Sequence, residues 1–186
     1  MTVIAATGNP NKLKEFRAIL KGDEVISASE AGFTDDVEET GQTFLENALL
    51  KARAVCRATG KTALADDSGL CVTALGGAPG VYSARYSGGG DKENRRLLLQ
   101  NLQGETDRRA YFESAIALVF PDGRELVAEG RTYGHILEEE RGENGFGYDC
   151  LFFSDDLQKS FGEATAEEKN GVSHRGRALT KLEEQL

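Results

Sequence analysis

Residues 3–20 read VIAATGNPNKLKEFRAIL, and this segment predicts a buried strand that is followed at once by a helix. The first four residues form a short apolar run, and apolar residues recur at helical spacing after Lys12, at positions 13, 16, 19 and 20. Between the two lies a tight turn, Thr7-Gly8-Asn9-Pro10-Asn11-Lys12. The N–H groups and the dipole of the first helical turn favour an anion there, and Lys12 adds a full positive charge. An ordinary strand-to-helix turn with a solvated lysine is the alternative.

The composition bounds the class of protein. The 186 residues are 39% hydrophobic and 28% charged, which suits one soluble globular domain spanning residues 1–186. The net charge of −9 disfavours nucleic acid as a partner, although it allows a small anion held by a few local cations. No apolar run approaches the roughly 20 residues that span a membrane, so we expect no membrane association. The three widely spaced cysteines fit reduced thiols in a cytoplasmic protein better than disulfides or a zinc site.

The remaining pattern alternates strands and helices and then turns to longer strands. The strongest helix begins after Thr43, in a capping box with Glu46. We expect a short strand at 62–65 that ends at two acids, a weak strand at 24–27, a helix at 91–102, a hairpin of strands at 109–120 and 124–129, two strands at 134–137 and 151–153, and a last helix from residue 173 or 174. This order predicts an α/β protein whose mixed, twisted sheet is flanked by helices.

The two acids after the short strand, Asp66 and Asp67, are the second strong signal. Adjacent carboxylates near a core are costly without a compensating cation. Mg²⁺ prefers one or two carboxylates together with waters and substrate phosphates, so acids close to a phosphate cradle predict a magnesium site. Glu38 and Glu39 could complete that site, or could simply favour the helix that follows them. An Asx turn with two solvated acids is the plain alternative.

Two glycine-rich segments differ in what they predict. Residues 76–90, GGAPGVYSARYSGGG, lack a Walker Gly-Lys-Ser/Thr motif and favour a structural loop or hairpin. The segment Gly145-Phe146-Gly147-Tyr148-Asp149 suits recognition of a purine. Phe146 would stack on the flat base and Asp149 would accept hydrogen bonds from its N–H groups. A turn with a core aromatic fits this second segment as well.

The last predicted helix begins with cations, which a helix dipole disfavours at that end. His174 and Arg175 follow Ser173, the expected N-cap. Together with Lys169, they hint at an anionic or carbonyl ligand, although cations near a helix start are common.

In this order, the motifs resemble those of the inosine/xanthosine triphosphate pyrophosphatases, over about residues 3–182. The segments that carry the resemblance are 7–12, 38–41, 43–48, 65–70, 79–86, 145–149 and 173–175. It implies an elongated α/β fold of two lobes around a central nucleotide-binding cleft, usually dimeric. It also implies Mg²⁺-dependent cleavage of noncanonical purine nucleoside triphosphates between the α- and β-phosphates, giving a monophosphate and pyrophosphate. The chain departs from the pattern at Cys150, where proline is expected.

The resemblance also implies roles for individual residues. Asp67 would be the general base and would bind Mg²⁺ with Glu38, while Glu39 and Asp66 are second choices for the metal. Asn47 and Lys51 could line the same cleft. The expected substrate-binding residues are Thr7, Gly8, Asn9, Pro10, Asn11, Lys12 and Ser68 for the phosphates, and Phe146, Gly147, Tyr148, Asp149, Lys169, His174 and Arg175 for the purine. Arg175 and His174 would reach the 6-oxo group, which adenine lacks.

Two other functions stay open. A pyrophosphatase for pyrimidine or modified nucleotides could use a similar architecture, although residues 146–149 and 174–175 favour a purine. A non-catalytic nucleotide-binding protein would need the phosphate cradle and Phe146 but not the carboxylates at 38, 39, 66 and 67.

Overall fold

The computed structural model describes all 186 residues, Met1–Leu186. The strands are β1 (Thr2–Ala5), β2 (Glu24–Ser27), β3 (Ala63–Val72), β4 (Arg109–Val119), β5 (Glu125–Ile136), β6 (Phe152–Ser154) and β7 (Lys159–Ser160). The helices are α1 (Pro10–Ile19), α2 (Phe44–Thr59), α3 (Asp91–Asn101), α4 (Ala166–Val172) and α5 (His174–Glu183), with short 3₁₀ helices at Thr73–Leu75, Gly80–Arg85 and Asp149–Leu151.

The seven strands form one sheet in the order β2-β1-β3-β4-β5-β6-β7. β1 pairs in parallel with both β2 and β3, whereas β6 pairs antiparallel with both β5 and β7. The predicted α/β class with a mixed sheet is therefore confirmed. None of the helices is both long and apolar enough to cross a bilayer.

The chain forms two compact units, each with its own apolar core. The first comprises residues 1–67, 114–130 and 175–186, and the second comprises residues 68–113 and 131–174. The core of the first unit includes Val3, Ala5, Phe16, Leu20, Leu64, Ile116, Leu118, Leu179 and Leu182. The core of the second includes Leu70, Val72, Leu98, Leu102, Phe112, Ile136, Tyr148, Leu151, Phe152 and Phe161.

Side-chain caps fix the N-termini of α1 and α2. Asn9 caps α1, and Pro10 follows in the first turn, where a missing N–H costs little. Thr43 caps α2 by accepting a hydrogen bond from the N–H of Glu46 at 3.1 Å. The Glu46 carboxylate accepts from the N–H of Gln42 at 2.7 Å, so the predicted capping box is only half formed.

The prediction that a short strand ends at Asp66 is wrong, because β3 continues to Val72. Residues 70–72 are apolar and buried, so the strand gains core contacts beyond the two acids. As a result, Asp66 and Asp67 lie in the middle of a strand.

Three other parts of the fold differ from the sequence expectations or go beyond them. The strands expected at 124–129 and 134–137 are one strand, β5, because alternation of buried and exposed residues continues from residue 128 to residue 134. Gly134 lets β6 approach, since a Cβ there would lie 2.0 Å from the Phe153 carbonyl oxygen. The glycine-rich segment, for which we expect a structural loop or a hairpin, is a loop that contains a 3₁₀ helix, Gly80–Arg85. Helix α4, Ala166–Val172, was not predicted.

Candidate active site

Asp66 belongs to a buried ion cluster in the first unit. Its carboxylate lies 2.8 Å from Lys12 Nζ and 3.2 Å from Arg175 Nη2, and it accepts a hydrogen bond from the Ser114 hydroxyl. Arg175 also pairs with Glu15, and both Asp66 and Arg175 are almost completely buried. Burial alone would raise the pKa of Asp66, but Arg175 and Lys12 hold that pKa well below its usual range. Asp66 is therefore an anion at neutral pH, and it pairs with two cations.

Asp67 has different surroundings, because successive side chains of a strand point to opposite faces. The pKa of Asp67 is raised to about 6: burial is the largest cause and the negative charge of Glu39 also raises it, while Lys51, Lys12 and Asn47 lower it. A carboxylate that titrates near neutral pH is suited to take a proton from a water molecule. Of the two acids, Asp67 is the better candidate for a general base.

Two side chains of α2 hold Asp67 and the segment before that helix. Lys51 Nζ donates to the Asp66 carbonyl oxygen at 2.7 Å and lies 3.2 Å from Glu39 and 3.8 Å from Asp67. Asn47 Nδ2 donates to Asp67 Oδ2 at 3.1 Å, and Asn47 Oδ1 accepts from the Gly41 N–H at 2.8 Å. Only glycine fits at position 41, because a Cβ would lie 2.6 Å from Glu46 Cβ. These contacts bring Glu39 close to Asp67, while Glu38 is exposed.

The predicted phosphate cradle is partly satisfied by its own side chains. Asn9 Oδ1 accepts from the N–H groups of Asn11 at 2.9 Å and Lys12 at 3.4 Å. Thr7 Oγ1 accepts from the N–H of Asn9 at 3.1 Å. Gly8 is exposed, and nothing lies within 4 Å of where its Cβ would be. A phosphate bound by this turn would compete with Asn9 for N–H groups and with Asp66 for Lys12, so the predicted phosphate contacts stay predictions.

In the second unit, an ion pair shapes the segment around Phe146. Lys169 Nζ lies 2.7 Å from Asp149 Oδ2, and both side chains are about 5% exposed. Asp149 Oδ2 also accepts from the Phe146 N–H at 3.1 Å, and Lys169 Nζ lies 4.6 Å from the centre of the Phe146 ring. Phe146 itself is half-buried. Asp149 thus holds the backbone of Phe146.

Three further residues were predicted to contact substrate, namely Tyr148 and His174 at the base and Ser68 at the phosphates. Tyr148 lies in the apolar core, and its hydroxyl donates to the Ser83 carbonyl oxygen at 2.7 Å. His174 is buried and stacks on Phe112 with ring centres 4.9 Å apart. Ser68 follows Asp67 in β3 and is half-buried. Their predicted contacts with substrate stay predictions.

A cavity of about 640 Å³ lies beside Phe146 in the second unit. Its volume falls within the range of small-molecule sites. The residues around it are mostly polar or glycine: Asp91, Arg95, Glu140, Gly142, Glu143, Asn144, Gly145, Phe146, Gly147 and Cys150.

A family model described as "Ham1 family" matches residues 3–185. The chain belongs to the Ham1 family. A dITP/XTP pyrophosphatase from Bacillus subtilis (strain 168) is 49% identical over 189 residues, covering 98% of this chain and 96% of the relative. A dITP/XTP pyrophosphatase from Streptomyces avermitilis is 48% identical, covering 97% of this chain and 94% of the relative.

Solved Ham1 structures agree with the fold. The Ham1 protein from Staphylococcus aureus aligns with a TM-score of 0.89 and 43% identity, covering 100% of this chain and 97% of that one. A nucleoside-triphosphatase / dITP/XTP pyrophosphatase from Mycobacterium abscessus aligns with a TM-score of 0.78 and 46% identity, covering 98% of each chain. The resemblance stated from the sequence motifs is therefore confirmed.

The carboxylates of this Ham1-family chain suit a hard cation, although they do not form a complete cage. No group of three or more His, Cys, Asp or Glu side chains is arranged to hold a metal ion. Mg²⁺ needs only one or two protein carboxylates when substrate phosphates supply other ligands. Burial is the main cause of the raised pKa of Asp67, and the Glu39 carboxylate, which also raises it, is close enough to be a second oxygen ligand. The donor set at Asp67 therefore fits Mg²⁺.

Several residues that build this Ham1 site were missed from the sequence. Glu15 and Ser114 complete the ion cluster around Asp66. Glu15 follows Lys12 by three residues on α1, so helical spacing could have placed it on the same face. Ser114 carries no such signal, because it lies 48 residues from its partner.

Proposed function

We propose that this Ham1-family chain hydrolyses noncanonical purine nucleoside triphosphates, namely dITP, XTP and ITP, to the nucleoside monophosphate and pyrophosphate. The observation that carries the proposal is Asp67, a buried carboxylate with a pKa of about 6 that Asn47 and Lys51 hold in place. The curated relatives named dITP/XTP pyrophosphatase support the reaction and the substrates.

In the proposed reaction, Asp67 takes a proton from the water that attacks the α-phosphorus. The bond from that phosphorus to the oxygen bridging to the β-phosphate breaks, and pyrophosphate leaves. Lys51 lies 3.8 Å from Asp67 and supplies positive charge beside it. Lys12 and residues 7–11 would hold the phosphates, with Ser68 supporting Asp67 or a phosphate oxygen.

The proposed cofactor is Mg²⁺, held by Asp67 and Glu38, with Glu39 as the alternative partner. When bound, it would neutralise phosphate charge and lower the pKa of a bound water. The structure favours Glu39 over the exposed Glu38 as the second ligand, because the Glu39 carboxylate is close to Asp67. It lies 3.2 Å from Lys51, and its charge raises the pKa of Asp67. The Mg²⁺ activation constants of Glu38→Gln and Glu39→Gln separate the two choices. Only substitution of the residue that binds the metal should raise that constant strongly.

For the base, we propose that Phe146 stacks on the purine and that Gly147, Tyr148 and Asp149 follow its edge. Lys169 would keep Asp149 in place, and His174 and Arg175 would reach the 6-oxo group. The half-buried ring of Phe146 and its neighbouring cation support this assignment.

We further propose that residues 1–186 act as one catalytic domain in a homodimer in the cytoplasm, without nucleic acid or membrane as partner. The net charge of −9 supports the exclusion of nucleic acid, and the free thiols of Cys56, Cys71 and Cys150 support a reducing compartment. Sedimentation equilibrium tests the dimer.

The deciding experiment is hydrolysis of inosine, xanthosine, adenosine and guanosine triphosphates with Mg²⁺, measuring pyrophosphate and orthophosphate separately. We expect pyrophosphate from the first two substrates, and about 100-fold less or lower still from Asp67→Asn. Orthophosphate as the main product, or equal rates on all four bases, would contradict the proposal. Thermal stabilisation by inosine triphosphate without any product would instead support a non-catalytic binding protein.

A further inference from the structure

Helix α3 holds the segment that carries Phe146 through one peptide group on each side of Gly147. The Gly147 N–H donates to Asp91 Oδ2 at 3.3 Å, and the Gly147 carbonyl oxygen accepts from Arg95 Nη1 at 2.8 Å. Asp91 and Arg95 are four residues apart on α3 and so lie on the same face of that helix. Both polar backbone groups of the residue after Phe146 are therefore tied to one rigid element.

Arg95 is itself held in a defined orientation. Its Nε donates to the Glu140 carboxylate, while Nη1 donates to Gly147. Glu140 also accepts a hydrogen bond from the Cys150 thiol, with 3.2 Å between Sγ and Oε1. The planar guanidinium makes the two bonds in fixed relative directions, which a lysine could not do. Cys150, where the family resemblance leads us to expect proline, thus contributes to holding Arg95.

Phe146 is consequently fixed from both sides along the backbone. Asp149 accepts from its N–H at 3.1 Å, and Asp91 and Arg95 bind the residue that follows it. Gly147 has a φ of 60°, in the left-handed region, so the turn after Phe146 has a conformation that most residues avoid. Charged side chains that bind this turn can keep it in one conformation.

We propose that Arg95 is a positioning residue for base recognition, which acts through Gly147 to hold Phe146 ready to stack on the purine. This inference rests on the proposed function, because it needs Phe146 to contact the base. Without Arg95 the segment would have to be ordered when the base binds, and this cost would weaken binding of every ligand that carries a base. Ligands without a base would bind as before.

The test compares Arg95→Ala with Arg96→Ala, which removes the same charge from the next, exposed position of α3. Calorimetry gives the dissociation constants of inosine monophosphate and of pyrophosphate for each variant. Hydrogen exchange of residues 145–148 without ligand reports the order of the segment directly. Arg95→Lys serves as a third variant that keeps the charge and loses the two-directional geometry.

For Arg95→Ala we expect about 10-fold weaker binding of inosine monophosphate, in line with the loss of a charge-assisted hydrogen bond. We also expect unchanged binding of pyrophosphate and faster exchange of the Gly147 amide. Arg96→Ala should match the wild type, and Arg95→Lys should resemble Arg95→Ala.

Inosine monophosphate affinity that is equal in the two alanine variants would overturn the proposal. Equal weakening of both ligands would also overturn it, because that result indicates general structural damage. Faster exchange in Arg95→Ala without weaker binding of inosine monophosphate would also overturn it. Arg95 would then order residues 145–148 without any effect on base recognition. Failure of the wild type to bind inosine monophosphate would count against the proposed function instead, and exchange would still show whether Arg95 orders the segment.

Discussion

Asn47 donates to Asp67 Oδ2 at 3.1 Å while its own oxygen accepts from the Gly41 N–H at 2.8 Å. Because a backbone N–H can only donate, the amide oxygen must face Gly41 and the amide NH₂ must face Asp67. One almost fully buried side chain thus orients the proposed general base and fixes the end of the segment that carries Glu38 and Glu39.

We expect Asn47→Ala to lower kcat about 10- to 100-fold, because Asp67 loses its orienting donor and the Gly41 N–H loses its acceptor. Steady-state kinetics measures the effect, and circular dichroism checks that the fold is kept. Asn101→Ala, at an exposed position of α3, is the matched control. A kcat equal to that of the wild type would remove Asn47 from the positioning of Asp67.

Asp67→Asn should abolish most activity and yet stabilise the metal-free protein. The pKa of Asp67 is raised to about 6, so the native state binds more protons than the unfolded state between about pH 4 and pH 6, and stability falls as pH rises through that window. At pH 7 the neutral amide should therefore increase the free energy of unfolding by about 2 kcal/mol. Turnover should fall about 100-fold or more.

Urea denaturation in the presence of a chelator at pH 7 measures the stability change. The exposed Asp35→Asn is the control. Reduced stability of Asp67→Asn would show that the ionised Asp67 carboxylate does not destabilise the native state at pH 7.

Asp66→Asn should have the opposite effect on stability, although the two acids are neighbours. Lys12 and Arg175 would lose their shared anion, so we expect a loss of about 3–5 kcal/mol at pH 7. The pKa of Asp66 is lowered in the native state, so its contribution is present at neutral pH and is lost as pH falls through that low value. The stability difference from the wild type should accordingly shrink in acid. Equal stability of the two proteins at pH 7 would contradict a buried ion cluster.

Lys12→Ala should weaken binding of inosine triphosphate far more than binding of inosine monophosphate, because Lys12 follows the turn proposed to hold the phosphates. Some stability should be lost as well, since Asp66 loses a partner 2.8 Å away. Calorimetry on a catalytically inactive Asp67→Asn background measures both ligands without turnover. Lys14→Ala, at an exposed position of the same helix, controls for charge. Equal weakening of both ligands would argue that Lys12 does not contact the outer phosphates.

Cys150 should react slowly with alkylating agents despite lining a cavity. Burial and, to a lesser extent, the hydrogen bond to Glu140 together raise the pKa of the Cys150 thiol to about 11. Labelling by iodoacetamide at pH 8, followed by mass spectrometry, should be slower by about 10-fold or more than in the urea-unfolded chain. Glu140→Gln should speed up labelling in the folded protein. Rapid labelling of the wild type would contradict both the burial of the Cys150 thiol and its hydrogen bond to Glu140.

Features whose cause lies within a few residues could be predicted from the sequence. The strand, turn and helix at residues 2–19 and the cap at Thr43 are examples, because each depends on neighbouring side chains. The role of Asp66 could not be predicted in this way. Its partner Arg175 is 109 residues distant, and neither spacing nor composition links the two. Likewise, the bond between Arg95 and Gly147 joins residues 52 positions apart.

The two adjacent acids of β3 also restrict the register in which that strand can pair with its neighbours. Because side chains alternate with a period of two, a slip of one residue would move one of the two acids into the surroundings of the other. In one direction, Lys12 and Arg175 would face Ala65 and would lose the carboxylate that they share, leaving Arg175 with Glu15 alone. In the other direction, the position of the proposed general base would receive Ser68. A misaligned strand is therefore either unstable or inactive, so a productive molecule can be assembled in one register alone.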